Sequence, residues 1–263
     1  MKRFLLLMIA GCGLSGIAKG QSYEDITPAR SGKLNNIRIG VFVAPNISWM
    51  KPTANKSDDR MYTVKSQGSK IGYSWGLMID KPFAENYGFS TGLHITSTGG
   101  KIEAKENPSV PQPATRVTYA DFDYRLQFLE VPFNLKLRSD ELGSGIHVFG
   151  QTGLSLGLNI SKKASYTVRY IDTVGTPEKT VDETNEKLIG GLSIPPLMLS
   201  LNIGGGVEYA ISNKMAIYAG LFFNNGFAPD ATNPNRLDMN YTGSFSDGNT
   251  RLNNFTLRFG IFF

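Results

Sequence analysis

Residues 252–263 read LNNFTLRFGIFF, and the order of side chains in this stretch decides the fold. Phe255, Leu257, Phe259, Ile261 and Phe263 fall on one face of an extended strand, while Asn254, Thr256, Arg258 and Gly260 fall on the other. Phe262 is the single exception. This is alternation with a period of two, ending on an aromatic residue with no polar tail beyond it. The termini of water-soluble proteins are usually solvated. The last strand of a transmembrane barrel instead closes the sheet and turns its apolar face to lipid. The stretch therefore predicts a lipid-facing strand, with the five outward residues serving as the insertion signal for barrel assembly machinery.

Seven more stretches repeat the pattern: Ile37–Ser48, Lys70–Asp80, Tyr87–Thr98, Phe122–Arg138, Gly145–Ile160, Leu197–Ile211 and Met215–Asn224. Strands of about ten residues suit a tilted bilayer crossing. Only Asp182–Leu188 suggests a short turn of helix. The connections alternate strictly, long at about 49–69, 99–121, 161–196 and 225–251, short at 81–86, 139–144 and 212–214. The short ones carry turn chemistry: Lys81-Pro82 with Asn86, Ser139-Asp140 with Gly143, and Ser212-Asn213. Alternation of turns and loops predicts an all-β fold, an eight-stranded antiparallel up-and-down transmembrane β-barrel. Both termini then lie on the periplasmic side and the long loops are extracellular.

A soluble barrel around a ligand alternates too, with its apolar face inward. The polar face decides between them. It is mainly Gly, Ser, Asn and Thr, small residues that fit the cramped interior of eight strands. Its charges, Arg38, Glu130, Lys136, Arg138, Glu208 and Arg258, are of mixed sign and pair best inside, since each would cost roughly 2–4 kcal/mol in mid-bilayer. Glu130 with Arg258, Arg38 or Lys136 is the constellation singled out. It reads as a permanent interior polar network, with an openable plug as the alternative.

Lys2 and Arg3 followed by apolar Phe4–Ala18 and the small-x-small site Ala18-Lys19-Gly20 predict a secretory signal peptide over 1–20. A polar lead over 21–35 and the barrel over 36–263 follow. Ile9-Ala10-Gly11-Cys12 offers a competing lipidation site at Cys12. The sole cysteine excludes an internal disulfide. Lys2, Arg3 and Lys19 carry much of the net charge of +5, and without them 24 basic residues face 22 acidic ones. No basic run interleaved with aromatics appears, so no nucleic-acid partner is expected.

LQFLEVPFNLKLRS at 126–139 and HVFGQTGLSLGLNI at 147–160 resemble the PorT family of outer-membrane barrels from Bacteroidetes-type bacteria. IGVFVAPNISWM at 39–50, GLHITSTGGKIE at 92–103, NIGGGVEYAIS at 202–212, FNNGF at 223–227 and the terminal LRFGIFF fit the same pattern. The loop at 225–251 and Leu126-Gln127-Phe128, where the family more often has a Tyr before its Leu-Glu pair, depart from it. The resemblance implies an outer-membrane barrel and an accessory role in type IX secretion, the export of proteins with a C-terminal signal. Its implied partners are outer-membrane lipid, the assembly machinery during insertion, and other secretion-system proteins.

His94 and His147 fall on the inward face, and Ser90 or Ser155 could be cast as a nucleophile beside them. No local nucleophile motif accompanies them, so satisfied interior residues are the preferred reading and no catalytic residue is assigned. Two isolated His without Cys predict no metal site, and no cofactor or small-molecule substrate is indicated. Gly204-Gly205-Gly206 lies within a strand, which points to close packing and not to a phosphate loop. Trp49, Met50 and Tyr62 are placed in the first loop, and three Pro in the second. Trp49, Tyr73, Trp75, Tyr87, Tyr124, Tyr209 and Phe223 are read as interfacial girdle. A stand-alone surface barrel for adhesion or envelope stability is the alternative function, and a lipid-modifying barrel enzyme a distant third.

Overall fold

Side chains that alternate between two environments hold a chain extended, and extended segments must pair to satisfy their backbone groups. The computed structural model describes residues 37–53, 61–188, 194–212, 215–227, 231–232 and 249–263. The described residues form ten strands: β1 (Arg38–Pro52), β2 (Tyr62–Pro82), β3 (Tyr87–Glu106), β4 (Arg116–Arg138), β5 (Ile146–Ile171), β6 (Lys179–Lys187), β7 (Leu197–Ala210), β8 (Ala216–Gly226), β9 (Ala231–Thr232) and β10 (Asn249–Phe262). Eight of them run antiparallel in the order β1-β2-β3-β4-β5-β7-β8-β10, and β10 pairs back onto β1 to close the ring. β6 hangs on β5 alone and the two-residue β9 on β10. The predicted eight-stranded barrel is the observed fold. The signal peptide, the polar lead and Cys12 lie outside the described residues, as do Asn213 and most of 225–251.

The faces fall as the alternation requires. Ile39, Val41, Val43 and Ile47 of β1 and Phe255, Leu257 and Phe259 of β10 are exposed. Asn46, Ser48, Thr256 and Arg258 are buried inside the ring. An apolar belt runs round the whole barrel, far larger than water tolerates on a monomer's surface, and it suits hydrocarbon. Phe262, the exception in the terminal strand, turns inward and is 2% exposed, whereas Phe263 points out.

The strands overrun the predicted bounds almost wholly at one end, Lys81 and Pro82 of β2 being the exception at the other. β2 to β5 hold 20 to 26 residues, against 11 to 15 in β1, β7, β8 and β10. With β6 they form a tall sheet. Residues 101–106, 116–121 and 161–171, assigned to long loops by the sequence, are therefore strand, and Asp182–Lys187 is strand and not a turn of helix. The reason is visible on β4. From Leu137 to Leu129 the odd residues are apolar and face out, while the even ones face in and, Pro132 apart, are polar (Lys136, Asn134, Glu130). From Gln127 to Tyr119 the odd residues are polar and still face out, and Phe128, Leu126, Tyr124 and Phe122 are buried. The pleat keeps its phase while the chemistry inverts, which marks the passage from lipid to water outside the wall.

β5 adds an irregularity at the same level. Phe128 pairs with Asn159 but Gln127 with Ser161, so Ile160 is one residue too many. A bulge of this kind reverses the parity of the strand beyond it. Even positions face outward up to Ile160, and odd ones, Lys163 to Arg169, above it. The inner side of the tall sheet forms an apolar core that includes Met50, Tyr62, Ile102, Phe122, Tyr124, Tyr166 and Tyr170. Met50 and Tyr62 are thus core residues, not loop residues, and Tyr124 is not part of a girdle but 1% exposed.

Candidate functional site

Inward residues near the turn end carry most of the charge. Arg38 opens β1 and pairs in register with Asp80 at the end of β2; Lys136 and Arg138 close β4; Glu208 lies near the end of β7. Their side chains meet across the interior. Arg38 donates to both oxygens of Glu208 at 3.0 and 3.1 Å and to Asp80 at 2.9 Å. Lys136 donates to both Asp80 and Glu208. Arg138 Nε lies 3.1 Å from Glu208, an ion pair without hydrogen-bond alignment. Three cations thus share two carboxylates, and the Glu208 side chain is 0% exposed.

Aromatic rings hold the surplus positive charge. The Arg38 guanidinium sits 4.4 Å from the centre of the Phe262 ring, and Lys136 Nζ lies 5.0 Å from it and 4.6 Å from Phe149. A ring face attracts a cation most strongly where water is excluded. That is why the terminal strand breaks its own alternation at Phe262.

A second group lies deeper. Glu130 accepts from Thr96 Oγ1 at 3.0 Å and is the register partner of His94. Arg258 lies over the rings of Phe222 at 4.3 Å and Phe42 at 5.1 Å. Gly204 makes room for this arrangement, since a Cβ there would collide with the Phe222 ring. Of the six charges named from sequence, Arg38, Lys136, Arg138 and Glu208 come together; Glu130 and Arg258 occupy this second group. Asp80 was missed, although it shares the parity of Gly72, Ser74, Gly76 and Met78 and could have been found by extending their face one step.

Between the two groups is a cavity of about 10 Å³, lined in part by Asp80, His94, Asn134, Lys136 and Arg258. That is room for one water molecule. Asp80 Oδ1, His94 Nε2, Asn134 Oδ1 and Arg258 Nε are buried without protein partners, and supply the polar contacts a water needs. Ser90 and His94 both line this cavity, and Ser155 Oγ is buried without a partner. His147 Nδ1 meets the Ser139 carbonyl at 3.1 Å near the turn end, eight residues along β5 from Ser155. Neither His forms a nucleophile–base pair with Ser155, as His94 Nε2 and Ser155 Oγ are both unpartnered. Among the described residues, the interior at this level has room for one water and no more.

On the outside, Trp49, Phe223 and Phe255 cluster with ring centres 5.0 to 6.2 Å apart where β1, β10 and β8 leave the belt. Tyr87 and Tyr209 are exposed at the turn end, whereas Trp75 sits midway along the lipid-facing side of β2. Residues 21–196 match the model of the outer membrane protein beta-barrel domain. No curated protein matches the chain. Among solved structures it is similar to Neisserial surface protein A, at 13% identity and TM-score 0.39 over 86% of this chain and 99% of that one. It is also similar to Ail, the attachment invasion locus protein of Yersinia pestis, at 14% identity and TM-score 0.32 over 86% and 97%. OprG of Pseudomonas aeruginosa compares at 12% identity and TM-score 0.36 over 86% and 94%. With two thirds of its length matched by that model, the chain belongs to the outer membrane protein beta-barrel domain family.

Proposed function

We propose that the protein is a closed, non-enzymatic barrel that acts through partners, as an accessory to the export of C-terminally signalled proteins by type IX secretion. The filled interior carries this reading. Eight strands leave space only for side chains, and here ion pairs, aromatic rings and a cavity of about 10 Å³ occupy it. Work is then done on the outer surfaces. The PorT-like stretches at 126–139 and 147–160 support the secretion role. The turn end with both barrel termini faces the periplasm in this reading, and the tall sheet faces outside. Deleting the gene and assaying export tests it: loss of C-terminally signalled proteins from the surface is expected, and intact export contradicts it.

The tall sheet favours a second reading, a stand-alone surface barrel for adhesion or envelope stability. It rises well beyond the apolar belt on β2 to β6 and carries exposed polar side chains. Trimming the β5–β6 hairpin separates the two: adhesion lost with export intact supports the second reading, and the reverse supports the first.

A further inference from the structure

Two places above the apolar belt share one order of side chains. Climbing β4 on the outward parity, the residues are Leu129, Gln127 and Arg125; climbing β10 they are Phe255, Asn253, which is buried against Asn225, and Arg251. Each passes from the last apolar residue through one uncharged amide to an arginine. Each arginine faces a lysine directly across the ladder: Arg125 pairs with Lys163 of β5, and Arg251 with Lys51 of β1. Lys187 of β6 stands opposite Lys163 and extends the first row to three cations.

Like charges directly opposite each other destabilise a sheet, so this placement needs a compensating anion. The protein supplies none at either pair among the described residues. The nearest outward carboxylate on β4, Asp123, is already engaged by Lys70 and by Lys101 at 3.8 Å. Arg125, Arg251 and Lys51 are exposed and Lys163 half-buried.

Height identifies the anion. Four residues above the last apolar side chain is about 14 Å along a strand, or roughly 10 Å of height at a barrel tilt near 40°. Long cationic side chains reach back down toward the membrane from there, into the headgroup layer that begins where the hydrocarbon ends. An arginine fork beside a lysine point charge suits a phosphate oxygen cluster. We propose that these two Arg–Lys pairs clamp the phosphates of anionic lipid in the leaflet around the tall end. The belt below and the clamp above then hold one and the same lipid by its chains and its headgroup.

The test is lipid retention. The barrel is reconstituted in phosphatidylcholine vesicles containing a minor share of bisphosphorylated lipid A, extracted gently, and the bound lipid weighed per barrel by mass spectrometry. Lipid A is expected to be enriched about tenfold or more over its share of the vesicle, as two cations near an anionic surface allow. The variant K51Q/R125Q/K163Q/R251Q should retain it only at the vesicle ratio, and each pair changed alone should lose about half, with heat-modifiable gel migration reporting that every variant is folded. Equal enrichment by folded variant and wild type overturns the proposal. So does equal enrichment of lipid A stripped of its phosphates, and so does full displacement by millimolar inorganic phosphate, which would reveal a free-anion site.

Discussion

Phe262 and Phe263 are adjacent, chemically identical and in opposite environments. Phe262 lies under Arg38 and Lys136 inside the barrel, and its removal opens a cavity beneath two cations. Phe262→Ala is expected to cost about 3–5 kcal/mol, like other buried aromatic truncations. Phe263→Ala is expected to cost no more than about 1–2 kcal/mol, because a half-exposed ring at the edge of the belt gives up less transfer energy. Urea titration of barrels folded into vesicles compares them. Slower assembly of Phe263→Ala in cells, without that loss of stability, is the further expectation for the insertion signal.

The carboxylate of Glu208 answers three cations. Glu208→Gln leaves Arg38, Lys136 and Arg138 with Asp80 alone and should destabilise by about 3–5 kcal/mol, the usual result of breaking a buried pair from one side. Adding Lys136→Met should recover part of it, so that the double variant is more stable than the sum of the two single changes implies. Additivity within error would show that the two side chains are not coupled. At this scale the sequence was legible wherever parity decides: all six charges named from it face inward. It was not legible in their partners, because parity says nothing about which inward residues share a level. Arg38 and Glu208 lie 170 positions apart and meet only through the closure of the ring.

At the scale of the strand, β4 is the informative element. Its five outward residues from Leu137 to Leu129 face lipid with Phe133 central, and its outward residues from Gln127 upward face water. Phe133→Arg should therefore cost about 2–4 kcal/mol and Gln127→Arg only about 0–1 kcal/mol, the depth dependence of a cation on a barrel's outer face. Equal costs at the two positions would remove the boundary. The sequence located every barrel strand yet stopped β2, β3 and β5 near this boundary and β4 at Phe122, six residues short of its end, and the cause is physical. A search for apolar residues on one parity ends where the apolar residues change sides. Phe128, Leu126, Tyr124 and Phe122 continue the alternation, but on the inner face. On β5 Tyr166, Val168 and Tyr170 keep the even parity of Leu154, Leu156 and Leu158 and the extra residue Ile160 turns them inward, but Lys162 interrupts the apolar series between the two sets. β6 escaped because nearly all its residues are exposed, leaving no alternation to find.

For the molecule as a whole, the alternation of long and short connections was enough to predict closure, since an even number of strands with turns at one end has one simple solution. The tall sheet was the larger omission. It needs knowledge of register, which fixes how far β2 to β5 climb together. The central claim is that apolar faces point to hydrocarbon while the interior is closed by polar and aromatic side chains. The chain's two tryptophans are built-in depth probes for it: Trp75 is midway along the outward side of β2, and Trp49 is in the aromatic cluster at the rim. The decisive measurement is quenching of their fluorescence by lipids brominated at graded depths, made on Trp49→Phe and Trp75→Phe variants in vesicles. Trp75 should be quenched most by bromines deep in the chains and Trp49 by bromines near the headgroups; an absence of quenching at both would mean that these faces do not meet lipid, and would contradict the barrel as described.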